Sequence, residues 1–327
     1  MNVLSLFNGM NTGRQALENV GIKVNKYYSS EIKPYAIELT QHHFSDTIQV
    51  GDVTKWKEWD IEWSKIDLIL SGSPCQDLSA AGKRAGINGK KSSLFFVFVE
   101  ILEHIKALNP NVLFLQENVG SASKLDVGIM SRALGVYPVR INSKLVTAQL
   151  RDRYYWSNIR TKETMFDIVT DIPQPKDKGI LFKDIITDGY VERVKSTALL
   201  EGYVSKNTYK NIGSKEEQKY LKGRDAKGIC PVVYVDTDKH VALKMQNNRN
   251  NQASQNSLKH RNETTGMLTL IHKDGIVRTV NQIEMERLQG FPDFYTSILS
   301  KAKAGSLLGD GWTLPIIEHI FSFIKIN

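Results

Sequence analysis

The chain has 327 residues, of which 41% are hydrophobic and 24% charged, and its formal net charge is +8 with a pI near 9.2. This length allows one large domain, or a large and a small one, with an ample core. No stretch approaches the ~20 uninterrupted apolar residues of a membrane span, and residues 1–25 lack a basic segment followed by an apolar one. We therefore expect a cytoplasmic protein without membrane contact. The basic charge is compatible with a polyanionic partner.

Cysteine usage restricts the class of protein further. Only Cys75 and Cys230 are present. Two cysteines are too few for a disulfide framework or a cysteine-rich zinc site. The expectation is a reducing compartment and no structural metal.

The first half of the chain alternates short apolar runs with helical patterns, which is typical of an α/β fold with a mostly parallel sheet. Strands are predicted at residues 3–7, 24–29, 66–70 and 112–116, and helices at residues 12–20, 34–43 and 93–108. Residues 94–99 alone fit a buried strand, but the length of the whole pattern favours a helix. Residues 137–142 and 153–158 are predicted to be strands that pair as a hairpin.

After about residue 170 the character of the sequence changes. Pro173 and Pro175 precede lysine-rich, weakly periodic sequence, and residues 246–252 are almost wholly polar. Composition leaves open whether this segment is a surface loop or a recognition surface. Periodicity returns at residues 281–288 and 314–326, where helices are expected.

The N-terminal turn is a candidate ligand site. Gly9 and Gly13 let the backbone approach a ligand closely, and no G-x-G-x-x-G pattern or Walker lysine is present. Glu31 follows the second strand, where a carboxylate can bind both hydroxyls of a ribose. Asp52 follows a third short apolar segment and can accept a hydrogen bond from an adenine amino group. Together these residues suggest a nucleoside without phosphates.

Two reactive side chains follow predicted strands. Cys75 lies on a tight turn with Gly72 and Pro74, directly after residues 66–70, and an adjacent helix or backbone amides would favour its thiolate. A lone cysteine is otherwise a small buried hydrophobe. Glu117 ends the strand at residues 112–116 and is expected at the same edge of the sheet. In an α/β fold this edge carries the chemistry.

Arg151 and Arg153 lie on the same side of a predicted extended segment. Paired arginines at this spacing form either a salt-bridged surface or a bidentate site for a phosphate or a base carbonyl.

These motifs, in this order, resemble those of the cytosine-5 DNA methyltransferases. The matching segments are Phe7-x-Gly9, Gly72-Ser-Pro-Cys-Gln76, Glu117-Asn-Val119, Gln149-x-Arg-x-Arg153, Glu286-Arg-Leu-Gln-Gly-Phe-Pro292 and Gly309-Asp-Gly-Trp-Thr313. The resemblance is closest to the catalytic domain of the animal de novo methyltransferases. Their chromatin-reading modules are missing from this sequence, which implies a compact, stand-alone bacterial or phage enzyme.

The resemblance implies a Rossmann-like, S-adenosylmethionine-dependent methyltransferase fold with a smaller target-recognition domain. It also implies that the Cys75 thiolate adds to C6 of a flipped cytosine while Glu117 binds the N3 and amino edge. Arg153 would hold O2, and Arg151 would orient the glutamate or a phosphate. The methyl group would come from S-adenosylmethionine, leaving S-adenosylhomocysteine, without a metal.

The cofactor residues implied by the resemblance gather at the N-terminal turn and near the C-terminus. Phe7 would stack on adenine, Gly9 and Gly13 would line the loop, Glu31 would bind the ribose and Asp52 would meet the adenine. The remaining members of the set are Thr12, Ile32, Val53, Pro74, Leu94, Asp310, Gly311 and Trp312. Asn11, Thr12 and Asp310 stand where the family pattern usually differs.

The implied macromolecular partner is double-stranded DNA. Candidate DNA-binding residues are Gln76, Ser79, Lys83, Arg84, Gln149 and Arg249. A catalytic domain is expected over residues 1–175, a target-recognition domain over 176–299, and a C-terminal segment returning to the catalytic domain over 300–327. A restriction enzyme that acts on the same site is a further possible partner, and the target sequence and oligomeric state stay open.

Three alternative functions fit the motifs of this sequence less well. An RNA cytosine-5 methyltransferase shares most of these motifs but typically has Pro-Pro-Cys, whereas this chain has Ser73-Pro-Cys75. An amino methyltransferase would carry an Asp-Pro-Pro-Tyr or Asn-Pro-Pro-Tyr type of motif, which is missing. A catalytically silent homologue would have lost the nucleophile or the base, and this sequence keeps Cys75 and Glu117.

Overall fold

The computed structural model describes residues 1–74, 94–199, 215–227, 230–235 and 276–325. The strands of the central sheet are β1 (Asn2–Leu6), β2 (Lys26–Ser30), β3 (Ile48–Gln49), β4 (Leu68–Ser71), β5 (Leu113–Val119), β6 (Val139–Asn142) and β8 (Asp152–Ser157). The short strand β7 (Gln149–Leu150) comes between β6 and β8 along the chain and is not part of this sheet. The strand order in the sheet is β3-β2-β1-β4-β5-β8-β6. Strands β1 to β5 are parallel, whereas β8 is antiparallel to both β5 and β6.

Helices cover both faces of this sheet. The α-helices of the described residues are α1 (Thr12–Asn19), α2 (Pro34–His43), α3 (Leu94–Leu108), α4 (Lys124–Leu134), α5 (Phe182–Ile185), α6 (Lys215–Ala226), α7 (Gln282–Gln289), α8 (Lys301–Asp310) and α9 (Leu314–Phe321). Helices α1, α2, α8 and α9 share one apolar core, and α3 and α4 share the other. Strand β1 serves both cores, with Val3 on one face and Leu4 and Leu6 on the opposite face.

The ends of the helices follow from local sequence. Pro34 occupies the first helical position of α2, where its missing N–H costs nothing. Asn281 caps α7 by accepting from the backbone N–H of Glu284, and the Glu284 carboxylate accepts in return from the N–H of Asn281. Gly290 ends the same helix at φ 78°. These ends fix the segment that leads to the C-terminal helices.

Most of the predicted elements are present, and apart from the final helix their first and last residues differ from the predicted ones by three residues at most. The predicted hairpin is confirmed, because β6 pairs with β8 in antiparallel register. The segment 94–99 is the start of the long helix α3. The final helix is shorter than predicted: α9 ends at Phe321, where Ser322 turns the chain and donates its hydroxyl to the His319 carbonyl.

Outside the central sheet the structure describes smaller pairings. Strands β9 (Thr161–Glu163) and β10 (Ile168–Thr170) form an antiparallel hairpin, and β11 (Ser196–Thr197) pairs with β7. Strands β12 (Val232–Val235) and β13 (Ile276–Thr279) are antiparallel, and Leu221 of α6 packs with Val232 and Tyr234. This last group is a small α/β unit beside the main core.

The division into residues 1–175, 176–299 and 300–327 stays a prediction. Met285, Leu288 and Tyr295 lie in the same core as α1 and α9, although that division assigns them to the second domain. None of the helices in the described ranges has the length and apolar character that a bilayer crossing requires.

Candidate active site

The carboxyl ends of the parallel strands bring the candidate side chains to one edge of the sheet. Strands β1, β2, β4 and β5 run in the same direction, and Ser71 at the end of β4 is level with Gln116 of β5. The chain segments that follow β1, β2 and β4 carry Phe7, Glu31 and Pro74, and Glu117 is the third residue from the end of β5. This edge is where open α/β sheets bind ligands.

Glu117 is almost fully buried and has a partner at each carboxylate oxygen. The register of β8 against β5 pairs Arg153 with Val119, two residues from Glu117 on the same face of the sheet. The Arg153 Nε is 2.7 Å from Glu117 Oε1. The indole Nε1 of Trp312 donates to Glu117 Oε2 at 3.1 Å. The structure thus brings together three of the predicted site residues.

Arg151 binds the turn that carries Trp312. Its guanidinium is buried and donates to the backbone carbonyls of Gly309 at 3.0 Å and Gly311 at 2.7 Å, with a longer contact to Leu199 at 3.4 Å. That Arg151 orients Glu117 or a phosphate stays a prediction.

Gln149 was expected to contact DNA, and its surroundings contradict this. The side chain is fully buried, Nε2 donates to the carbonyl of Leu288 at 3.1 Å, and Oε1 accepts from the backbone N–H of Leu199 at 2.8 Å. An amide held at both ends inside the core is not available to a base edge. Gln149 instead joins β7 to α7.

The sequence interpretation missed the polar contacts around Ser73. Gln116 is fully buried and donates to the Ser73 hydroxyl at 2.9 Å, and Asn118 reaches the same oxygen at 3.5 Å. These residues flank Glu117 and tie the Ser71–Pro74 segment to β5. A glutamine at the end of an otherwise apolar strand was the available signal, because a buried amide needs partners.

The N-terminal turn places its backbone against Glu31. The Glu31 carboxylate accepts from the backbone N–H groups of Gly9 at 2.8 Å, Ile32 at 2.7 Å and Lys33 at 2.9 Å. Phe7 and Gly9 adopt positive φ angles of 55° and 57°. The side chain of Ile32 is 70% exposed, an apolar surface next to the carboxylate. This group suits a ligand with both a polar hydroxyl edge and a flat apolar face.

Other predicted cofactor residues serve packing or local structure. Thr12 and Val53 are buried. A Cβ at Gly13 would lie 3.1 Å from the Tyr27 hydroxyl, so this glycine permits close packing of α1 on the sheet. The Asp52 carboxylate accepts from the backbone N–H and the hydroxyl of Thr54, both at 2.9 Å, and these bonds lower the pKa of Asp52.

The C-terminal members of the cofactor set reach the same edge through α8. Asp310 forms an ion pair of 2.9 Å with Lys33, two residues after Glu31. A Cβ at Gly311 would lie 2.8 Å from the Leu307 carbonyl and would also collide with Met10 of the N-terminal turn. Pro74, which follows β4, and Leu94, the first residue of α3, are both partly buried. The turn after α8 therefore closes on the N-terminal turn.

Several predicted residues lie outside the described ranges. They are Cys75, Gln76, Ser79, Lys83, Arg84 and Arg249. Among the residues that the structure describes, no group of three histidine, cysteine or acidic side chains is arranged to hold a metal ion.

The Glu117 carboxylate with its two donors and the N-terminal turn around Glu31 both lie at the carboxyl edge of the parallel sheet, which is where open α/β folds bind their ligands. The sequence profile of the C-5 cytosine-specific DNA methylase family matches residues 1–325. The chain belongs to this family and is a DNA cytosine-5 methyltransferase.

Individual relatives agree with this assignment. The chain is 28% identical over 329 residues to the type II methyltransferase M.HpaII of Haemophilus parainfluenzae, covering 96% of this chain and 86% of the relative. It is 31% identical over 235 residues to the orphan methyltransferase M.SPRI of Bacillus phage SPR, covering 64% and 52%. The S. pombe Dnmt2 methyltransferase structure shares the fold, with a TM-score of 0.57, 14% identity and coverage of 99% and 98%.

Proposed function

We propose that this enzyme transfers a methyl group from S-adenosylmethionine to C5 of a flipped cytosine in duplex DNA, through a covalent bond between Cys75 and C6. The observation that carries the proposal is the Glu117–Arg153 pair. Its 2.7 Å contact sets a carboxylate and a guanidinium side by side at the carboxyl edge of the sheet. This pair matches the hydrogen-bonding edge of cytosine, which presents a ring nitrogen, an amino group and a carbonyl oxygen.

The residues around the N-terminal turn fit the proposed cofactor. Glu31 can accept from both ribose hydroxyls, and the exposed Ile32 and the partly buried Phe7 offer apolar contact to an adenine ring. Asp52 can accept from the adenine amino group, because its carboxylate is ionised well below neutral pH. When bound, S-adenosylmethionine supplies the electrophilic methyl group.

The protein side chains have separate roles in the proposed reaction. The Cys75 thiolate attacks C6, which turns C5 into a carbon nucleophile. Glu117 binds the N3 and amino edge and stabilises the ring as it takes a proton, while Arg153 holds O2. After methyl transfer a solvent base takes the C5 proton, and the electron pair of that C–H bond forms the C5–C6 double bond and expels Cys75 as the thiolate. The ring then gives up the proton it had taken, which restores neutral, aromatic 5-methylcytosine. An in-stack base cannot reach these groups, so the cytosine must leave the helix.

Recognition of DNA is proposed for residues outside the main core. The net charge of +8 supports contact with phosphates, and Gln76, Ser79, Lys83, Arg84 and Arg249 remain the proposed DNA contacts. Base readout is proposed for side chains within residues 176–270 of the proposed target-recognition domain. The setting is the cytoplasm of a bacterial or phage-infected cell, with a restriction enzyme of the same site as a further proposed partner.

Transfer of a labelled methyl group from S-adenosylmethionine to duplex DNA and to tRNA tests this function directly. We expect label in duplex DNA at C5 of cytosine, and bisulfite sequencing of DNA from cells that express the chain should locate it in one short sequence. Label in tRNA alone would replace DNA by RNA as the substrate. Absence of transfer to either polymer, with the cofactor bound, would favour a catalytically silent homologue.

A further inference from the structure

Trp312 has a contact at the site that its predicted membership of the cofactor-binding set does not explain. Its indole Nε1 is 3.1 Å from Glu117 Oε2, while Arg153 binds Oε1. An indole N–H and a guanidinium can only donate hydrogen bonds. Both oxygens of Glu117 therefore accept, and the carboxylate is held from two opposite sides.

The turn that presents Trp312 is fixed by several buried contacts. Arg151 donates to the carbonyls of Gly309 and Gly311. The Thr313 hydroxyl donates to Oε1 of the fully buried Gln289 at 2.9 Å and lies 2.8 Å from the Ser143 hydroxyl. Residues on both sides of Trp312 are thus tied to the core, so the indole is presented by a rigid support.

Gly72 leaves the space that the indole occupies. A Cβ at residue 72 would lie 2.8 Å from Nε1 of Trp312 and 3.3 Å from Cε2. Any larger residue would displace the ring from Glu117. The Trp312 indole therefore lies between Gly72 and the Glu117 carboxylate.

We propose that Trp312 is a positioning residue for Glu117, and that Arg151 acts on Glu117 through the Gly309–Trp312 turn. This inference rests on the proposed function, in which Glu117 meets the cytosine edge. The terminal torsion of a glutamate has a broad energy profile, so a carboxylate with one partner can rotate. Two donors on different elements fix its plane in the orientation that receives the base.

The hydrogen bond can be tested without measuring catalysis. Indole N–H groups of the full chain are observed by NMR after labelling with ¹⁵N-tryptophan, which gives five signals for the five tryptophans. The Trp312 signal is identified by its loss in Trp312→Phe. Replacing the charged acceptor in Glu117→Gln should move this signal and leave that of Trp59 in place. An unmoved Trp312 signal would overturn the proposal, even if the chain proved inactive.

The kinetic test separates positioning from cofactor binding. Trp312→Phe keeps an aromatic ring and removes the N–H. We expect single-turnover methylation to fall about tenfold or more, the usual cost of losing a hydrogen bond to a charged group, with cofactor dissociation constants within about threefold. Trp59→Phe is the matched control, because in the described structure its Nε1 has no partner. Weakened cofactor binding with an unchanged rate at saturation would make Trp312 a pocket wall only.

A second variant displaces the indole without removing its N–H. Gly72→Ala places a methyl group against Nε1 and should lower the single-turnover rate as Trp312→Phe does. Since both changes break the same contact, the double variant should be no slower than the slower single variant. Losses that multiply in the double variant would show that the two residues act independently, which would contradict the proposal.

Discussion

Arg153 and Glu117 are joined across two antiparallel strands, with Nε 2.7 Å from Oε1. The pair exists because β8 reverses direction beside β5 and places residue 153 opposite Val119. The antiparallel strand is therefore a functional part of the fold.

Replacing Glu117 with glutamine should lower the methylation rate by about 10²–10⁴-fold, the range found when a positioned acid or base is removed. Cofactor affinity should stay unchanged, because Glu117 contacts neither Glu31 nor the N-terminal turn in the described structure. Single-turnover transfer of labelled methyl groups measures this. Glu163→Gln, an exposed change on β9, is the control. A Glu117→Gln enzyme with wild-type rate would contradict the proposed role of Glu117 at the cytosine edge.

The two cysteines offer a matched pair of variants. Cys75→Ala should abolish methylation and prevent a denaturant-resistant complex with 5-fluorocytosine DNA, since that complex requires the Sγ–C6 bond. Cys230→Ala should retain both, because Cys230 is buried and burial raises the pKa of its thiol to about 11. Denaturing gel electrophoresis of the trapped complex gives the answer. Trapping by the Cys75→Ala enzyme would refute the nucleophile assignment.

Glu31→Ala should weaken binding of S-adenosylmethionine by about 1–3 kcal/mol, the cost of leaving hydrogen-bonding groups unpaired. The change also leaves the N–H groups of Gly9, Ile32 and Lys33 without their acceptor, so thermal unfolding should be checked in parallel. Glu38→Ala, on the exposed face of α2, is the control. Calorimetric titration that finds normal cofactor affinity and weaker DNA binding would assign Glu31 to the substrate instead.

Exchange of residues 176–270 for the corresponding segment of a relative with another target should move the methylated sequence and keep activity. Phosphate contacts bind all sequences, whereas base contacts select one. Binding of both enzymes should fall steeply with salt. Bisulfite sequencing reads the outcome. An active chimaera that still methylates the original site would place specificity elsewhere, first among the proposed DNA contacts between Gln76 and Arg84.

His43 makes stability depend on pH. Its ring stacks on Tyr295 at 4.0 Å and its Nε2 lies 2.7 Å from the Tyr295 carbonyl, and burial lowers the pKa of His43 below its ordinary value. The unfolded chain therefore binds a proton at His43 more readily than the folded chain does. The contribution of neutral His43 to the free energy of unfolding is present above about pH 6.5 and is lost as the pH falls below it.

Urea unfolding between about pH 7.5 and pH 5.5 should show this loss of stability. His43→Gln keeps a donor for the Tyr295 carbonyl and cannot titrate, so its stability should fall less over the same range. Equal slopes for the two proteins would show that His43 does not contribute.

The sequence by itself was sufficient to predict a mostly parallel sheet and to identify the family from the order of its motifs. Alternating apolar runs and helical patterns predicted β1, β2, β4 and β5 and the helices between them, because burial period and length are local properties. The direction of parallel strands alone predicted that Cys75 and Glu117 lie at one edge of the sheet, and the structure describes Glu117 there.

Only the tertiary structure decided which side chains meet at that edge. Arg151 and Arg153 are equivalent in sequence spacing, yet one binds carbonyls of the turn after α8 and the other binds Glu117. Gln149 has an amide side chain of the kind that can bind a base edge, but it is buried and donates to the Leu288 carbonyl of α7. Trp312 reaches Glu117 from 195 residues away along the chain. Such contacts depend on how separate elements pack, and residue spacing carries no record of packing between distant segments.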